Sequence, residues 1–185
     1  MGANASNALL FLITTLFDLL MWLFMLRIAL QWVRADFYNP ISQLVWKATR
    51  FPTDPLRTLL PPVRNINVAA VLALAVISLI YIYVVVGVLG FTVDPLSALW
   101  FSLLKIVALS LGLYTFTLFV QALMSWLGPG VNNPASNILW SLNEPLLRPV
   151  RRVVPPLSGL DLSPLVVILL LQVLSRLLPL PGAFR

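Results

Sequence analysis

Two stretches of this chain, Val68–Leu89 and Ile106–Leu127, each run for 22 residues without one charged side chain. About 20 apolar residues in a helix cross a hydrocarbon core of about 30 Å, so a chain carrying two such runs is built for a bilayer. Two further segments fit the description less cleanly. Ala8–Trp32 is apolar apart from Asp18 and Arg27, and Ser163–Leu178 opens on Ser163-Pro164 and holds Arg176 near its end. Composition agrees: 60% of the 185 residues are apolar and 10% charged, with mean hydropathy +0.97, whereas a soluble domain carries about 25% charged residues. The expected fold class is an all-α membrane protein with four transmembrane helices.

Histidine and cysteine are both absent, which removes disulfides, thiol nucleophiles, His-based acid–base chemistry and most transition-metal or haem ligation. No cofactor is expected. Asp36, Asp54, Asp94, Glu144 and Asp161 fall in loops or at helix starts, where N-capping accounts for several of them, and no phosphate-cradling glycine loop accompanies them. The chain therefore reads as a non-enzyme. Its first span has no basic stretch before it and is too long for a cleaved signal peptide, so it reads as a retained helix. The Met-Gly-Ala-Asn-Ala-Ser start fits a myristoylation pattern too loose to carry weight.

Twelve Lys/Arg against six Asp/Glu give a net charge of +6, too sparse for a nucleic-acid surface but suited to an anionic leaflet. Arg34, Lys47, Arg50, Arg57 and Arg64 lie between spans one and two, and Arg148, Arg151 and Arg152 between spans three and four; the other loops and tails hold only Arg185. The positive-inside rule places both long connections in the cytoplasm and both termini across the membrane. In a bacterium that is the inner membrane, with periplasmic termini.

The two connections resemble each other at a constant offset of 94. Trp32, Asn39-Pro40, Ser42, Trp46, Pro55, Arg57 and Pro61-Pro62 recur as Trp126, Asn133-Pro134, Ser136, Trp140, Pro149, Arg151 and Pro155-Pro156, nine identities in 36 ungapped positions. Residues 1–94 and 95–185 are thus expected to be two parallel repeats of span, connection and span, related by an axis along the membrane normal. Asn39 and Asn133 suit an N-cap, and Pro40 and Pro134 the first helical position. Ile41, Leu44, Val45 and Ala48 then recur on one helical face, as do Ala135, Ile138, Leu139 and Leu142. After a break, a shorter element is expected behind Pro55 and Pro149, with Arg57, Arg151 and Arg152 opposite its apolar side and the double prolines ending it. These segments read as amphipathic helices at the cytoplasmic interface, lying in the headgroups or packed onto the bundle. Trp32, Trp46, Trp126 and Trp140 read as interface anchors.

Arg27-Ile-Ala-Leu-Gln-Trp-Val-Arg-Ala-Asp-Phe-Tyr-Asn-Pro-Ile-Ser42, followed by Pro55-Leu-Arg57 and Pro61, resembles the YggT family of bacterial membrane proteins. Glu144-Pro-Leu-Leu-Arg-Pro-Val-Arg-Arg-Val-Val-Pro155, with Gly159-Leu-Asp161 and Ser163-Pro164, is similar to that family's other signature. The resemblance covers nearly the whole chain. It departs at Arg57-Thr58, where paired arginines are usual, and so implies a weaker basic patch in the first half. Membership implies an inner-membrane protein with relatives in cyanobacteria and plastids, linked to osmotic stress tolerance, cell division or nucleoid organisation, and cytochrome assembly.

Ionisable groups inside a span are costly and mark function or structure. Counted from Trp32, Trp126 and Asp161 at 1.5 Å per residue, Arg27 lies near the cytoplasmic interface and Lys105 about 31 Å away at the far one, while Asp18 and Arg176 both lie about 21–22 Å up. An Asp18–Arg176 pair is the expectation, with Lys105 as the alternative partner and a protonated or Thr14-bonded Asp18 as the third possibility. The leading functional expectation is an adaptor whose basic face, formed by Arg57, Arg148, Arg151 and Arg152, meets anionic lipid headgroups or a protein partner. The alternative is a small oligomeric channel or transporter. Ala69/Ala73 and Ala108/Gly112 allow close helix contact within one chain or between copies.

Overall fold

The computed structural model describes residues 3–57, 60–63, 65–126, 133–154 and 161–184, without the side chains of Ala3, Pro52, Arg57 and Trp126. Among these residues the chain is all α-helical: α1 (Ala3–Trp32), α2 (Pro40–Arg57), α3 (Val68–Val88), α4 (Pro95–Trp126), α5 (Pro134–Arg151), α6 (Ser163–Leu177) and a closing 3-10 turn, Gly182–Phe184. The only strand-like feature is an isolated bridge, Val63 to Ile66.

Three helices are long and apolar enough to cross a membrane, over Asn4–Trp32, Val68–Val88 and Pro95–Ser125. The fourth expected span is a 15-residue apolar helix, α6, about 22 Å long at the helical rise. Helices α1, α3, α4 and α6 pack in the order α1–α3–α4–α6, with α1 also against α4. The core of α1, α3 and α4 is Met21, Phe24, Ala70, Ala73, Tyr81, Ile82 and Val85 together with Leu104 and Leu113, while Val167 and Leu171 of α6 pack with Leu118 of α4 and Leu147 of α5. Large apolar side chains cover the outside of the bundle, including Phe11, Leu16, Phe116, Phe119, Leu165, Leu169 and Val173.

Short polar residues set the helix starts. Asn67 accepts from the Ala70 N–H, Asn133 from Ser136, Asn39 from Ile41, and Asp94 from Leu96 and Ser97. Each meets a backbone N–H that the first helical turn cannot satisfy. At the exposed start of α4, hydrogen bonds from Ser97 and then Leu96 hold the Asp94 carboxyl below its ordinary value.

The expected break before Pro55 and Pro149 does not occur. Both α2 and α5 run unbroken for 18 residues through their internal prolines. Pro55, Pro145 and Pro149 all lie on the exposed side, so the carbonyl that each leaves without a helical partner one turn back faces outward, where solvent can satisfy it. The second double proline, Pro155-Pro156, lies outside the described residues.

Helix α2 packs on α1 and α3, α5 on α4 and α6, and the two also touch each other. Leu30, Val45, Ile138 and Leu142 close a small core beneath them, and the Asn39 amide donates to the Pro134 carbonyl at 2.7 Å. The bundle-facing residues of α2 and α5 are thus buried, while Leu44, Phe51 and Trp140 are exposed.

Candidate functional site

Three features bring polar chemistry together. The first lies inside the bundle. The Lys105 ammonium, 2% exposed, is 2.8 Å from Asp18 Oδ1 and 3.1 Å from Oδ2. It also donates to the Phe184 carbonyl at 3.0 Å and sits 4.7 Å from the centre of the Tyr81 ring. A buried ammonium persists when its hydrogen bonds are met and an opposite charge is adjacent; here α1, α3 and the closing turn each contribute one partner to the lysine of α4. The Phe184 ring packs against Phe101 and Tyr81 and holds its own carbonyl over Lys105.

This corrects the Asp18–Arg176 expectation. Arg176 lines the same 390 Å³ cavity as Asp18 and Lys105, but the carboxylate's ion pair is with Lys105. Two facts account for it. Helix α4 packs against both α1 and α6, so it carries Lys105 closer to Asp18 than α6 carries Arg176. And α4 begins at Pro95, ten residues before Lys105, so this lysine stands well inside a helix rather than at its mouth. The signal was available in Asp94-Pro95, a cap followed by a first-turn proline.

The second feature is a pair of polar clamps fixing α2 and α5 to the bundle. Arg27 Nη1 donates to Thr49 Oγ1 at 2.8 Å and Thr53 Oγ1 at 3.0 Å. Ninety-four residues on, Asn143 donates to Gln121 Oε1 at 2.8 Å and accepts from Thr117 at 2.8 Å. Arg27 does not reach outward from a shallow depth as the sequence count implied; it is 3% exposed, bonded inward to α2.

The third is the cation set on α2 and α5. Arg148 and Arg152 are exposed, as is Lys47. Arg151, expected among the docking residues, is already engaged. It bonds Glu144 at 2.7 Å and Asp161 at 2.9 Å and stacks 5.3 Å from the Trp140 ring centre. Burial acts to raise the Asp161 carboxyl, but hydrogen bonds from Ser163 and Arg151 outweigh it and hold it below its ordinary value. Burial likewise acts to lower Arg151, and Asp161 and Glu144 together raise it. Arg151 is therefore a strut between α5 and the start of α6. The Arg57 side chain lies outside the described ones.

Of the four tryptophans read as anchors, Trp32 and Trp140 are exposed. Trp46 is half-buried, carrying Arg50 at 5.2 Å from its ring centre and Phe37 at 6.0 Å. The Trp126 side chain is not among those described. Asn39-Pro40 and Asn133-Pro134 stand at the starts of α2 and α5, joined by the Asn39–Pro134 bond.

The helices and their apolar outer surface define a polytopic α-helical membrane protein. The CCB3/YggT family model matches residues 6–89 and 100–181, and the chain belongs to that family. It is 40% identical over 171 residues to an uncharacterized protein in the proC 3' region of Vibrio alginolyticus, covering 90% of each chain. It is 39% identical over 170 residues to the uncharacterized protein YggT of Escherichia coli K12, covering 91% of this chain and 88% of that one. A Pseudomonas aeruginosa relative is 34% identical over 174 residues. No solved structure gives a significant match.

Proposed function

We propose that this chain is a non-enzymatic scaffold of the bacterial inner membrane, built from two parallel repeats with α6 as a fourth, short span. Both termini are periplasmic, and α2 and α5 form a cytoplasmic layer that docks an acidic protein or anionic headgroups. The carrying observation is that α2 and α5 form one braced unit, joined at Asn39–Pro134 and clamped at Arg27 and Asn143, with Lys47, Arg148 and Arg152 left exposed on it. A fixed set of charges loses little entropy when a partner arrives, and its attraction is screened by salt. The two matches to the family model begin 94 residues apart, which supports the repeat.

Crosslinking from Arg148 and Arg152 positions in native membranes tests the reading. Adducts should weaken at about 0.5 M salt, where the Debye length is only a few ångströms, and should vanish in the Arg148→Glu/Arg152→Glu variant. Adducts that survive both would remove the mechanism. Osmotic upshift and division are the conditions to probe first, on the strength of the family resemblance. The charged cavity of Asp18, Lys105 and Arg176 favours one second reading, a channel or transporter; ion flux through the purified protein in liposomes would promote it.

A further inference from the structure

A second cavity, of about 440 Å³, lies where α1 ends, beneath α2 and beside the start of α3. Its polar wall is Arg27, Gln31, Arg34 and Ser42, and its apolar wall includes Leu30 and Trp46; no carboxylate is among the described residues lining it. Two arginines line a cavity whose described wall holds no carboxylate, which is the chemistry of an anion site.

Two details show that the site is built rather than incidental. Ser42 is 9% exposed, and its hydroxyl has no hydrogen-bond partner among the described residues. A buried unmet hydroxyl is costly, and this one stands on the cavity wall. The serine 94 residues on, Ser136, spends its hydroxyl on the Asn133 carbonyl at 2.8 Å.

Arg34 is the other. The end of α1 is a Schellman turn: Ala35 N–H bonds the Leu30 carbonyl at 2.9 Å and Arg34 N–H the Gln31 carbonyl at 3.2 Å. The residue after the cap must then take a left-handed backbone, which glycine does at least cost. Here it is Arg34, at φ 54°, the only non-glycine residue with positive φ among those described. At the corresponding position 94 residues on the sequence has Gly128. The first half has thus accepted backbone strain to put a guanidinium at the mouth of this cavity. The Asn65 amide oxygen, turned toward it, accepts from Nε at 2.6 Å and steadies it. At the Arg27 position the second half has Gln121, so the two cations belong to the first half alone.

We propose that this cavity binds a phosphate group, with Arg27 and Arg34 neutralising its charge and the Ser42 hydroxyl donating to one of its oxygens. The apolar wall beside the cations suits a phosphate that carries a hydrocarbon tail, as in an anionic glycerophospholipid; free inorganic phosphate shares the same head chemistry. The site is separate from the exposed cations Arg148 and Arg152, so it and the docking layer fail independently.

The full-length protein in a zwitterionic detergent is titrated with phosphatidic acid, and separately with inorganic phosphate, and read by native mass spectrometry. Phosphatidic acid should be retained well above phosphatidylcholine. Arg34→Gly should lower retention about tenfold, the value of one charge-assisted hydrogen bond, while leaving the melting temperature unchanged or raised, since it relieves the strained backbone. Ser42→Ala should lower retention several-fold with no loss of stability, and Arg148→Gln/Arg152→Gln should leave it unchanged. Displacement of the lipid by inorganic phosphate assigns the site to the bare phosphate; resistance to displacement assigns it to the lipid. Wild-type protein that holds neither probe above the phosphatidylcholine level, or folded Arg34→Gly and Ser42→Ala variants that retain as much as wild type, would overturn the proposal.

Discussion

Replacing Asp18 by Asn removes the only opposite charge placed against Lys105 among the described residues. The ammonium would remain 2% exposed, held by the Phe184 carbonyl and the Tyr81 ring. Breaking a fully buried pair from one side costs about 3–5 kcal/mol. Asp18 keeps 32% of its side chain exposed and two other partners of Lys105 survive, so the expected loss for Asp18→Asn is lower, about 2–3 kcal/mol. Lys105→Met keeps the aliphatic stem and leaves a carboxyl 32% exposed rather than sealed in the core, so about 1–2 kcal/mol is expected. The double variant has no stranded charge and should resemble Lys105→Met, which makes the coupling about 2–3 kcal/mol. Unfolding by SDS titration in mixed micelles measures all four corners. Single losses that add to within about 0.5 kcal/mol would show that the pair carries no energy. A coupling of Asp18→Asn with Arg176→Met as large as that with Lys105→Met would refute the assignment of the partner.

Further outcomes follow from other parts of the fold. Asn143→Leu strands the part-buried Gln121 side-chain oxygen and takes an acceptor from the buried Thr117 hydroxyl and should cost about 1–3 kcal/mol in the same unfolding assay, part of it recovered by adding Gln121→Leu. Phe184→Ala removes a ring 4% exposed against Tyr81 and Phe101 and should cost about 3 kcal/mol; a loss below about 1 kcal/mol would mean that the closing turn does not hold Lys105. Gly112→Ala should be neutral or stabilise by up to about 1 kcal/mol, because an added Cβ there meets only Trp22 at 3.8 Å. The Asp161 carboxyl lies below its ordinary 3.8, so the stability it gives through Arg151 is complete above that value and is lost as the pH falls through the lower folded one. The stability difference between wild type and Asp161→Asn, followed by pH titration, should stay flat from neutral pH to about 4 and shrink only below it.

Much of the helical frame was legible because capping chemistry is local. Asn39 and Asn133 each meet an N–H within three residues, and a short polar side chain before a proline announces that without tertiary knowledge. Val68 as the start of α3 was legible for another reason, the uncharged apolar run that begins there. The first ten residues of α4 carried the same kind of cap in Asp94-Pro95, but the charge behind it hid them. Lys105 interrupts the apolar run, and a charge reads as the edge of a span unless its counter-charge, 87 positions away in sequence, is known. The same limit hid the role of Arg151. Its charge suggests a docking face, while the acids that occupy it sit seven residues back on the same helix, Glu144, and ten residues on, Asp161, which meets it because the chain turns back into α6 beside α5. Internal prolines misled in the other direction: sequence registers the missing N–H of Pro55 and Pro149, but not that both face outward.

The three-sided hold on Lys105 has a consequence for how the chain is made. Synthesis runs from the N-terminus, so Asp18 enters the bilayer 87 residues before its lysine exists and the Phe184 carbonyl arrives 79 residues later still. A charge in hydrocarbon is costly without its partner, so Asp18 of the first helix waits unpaired until α4 delivers the ammonium. The lysine then waits for the closing turn to complete its shell. Maturation of this bundle is therefore a pairing followed by a closure, in an order fixed by the direction of translation.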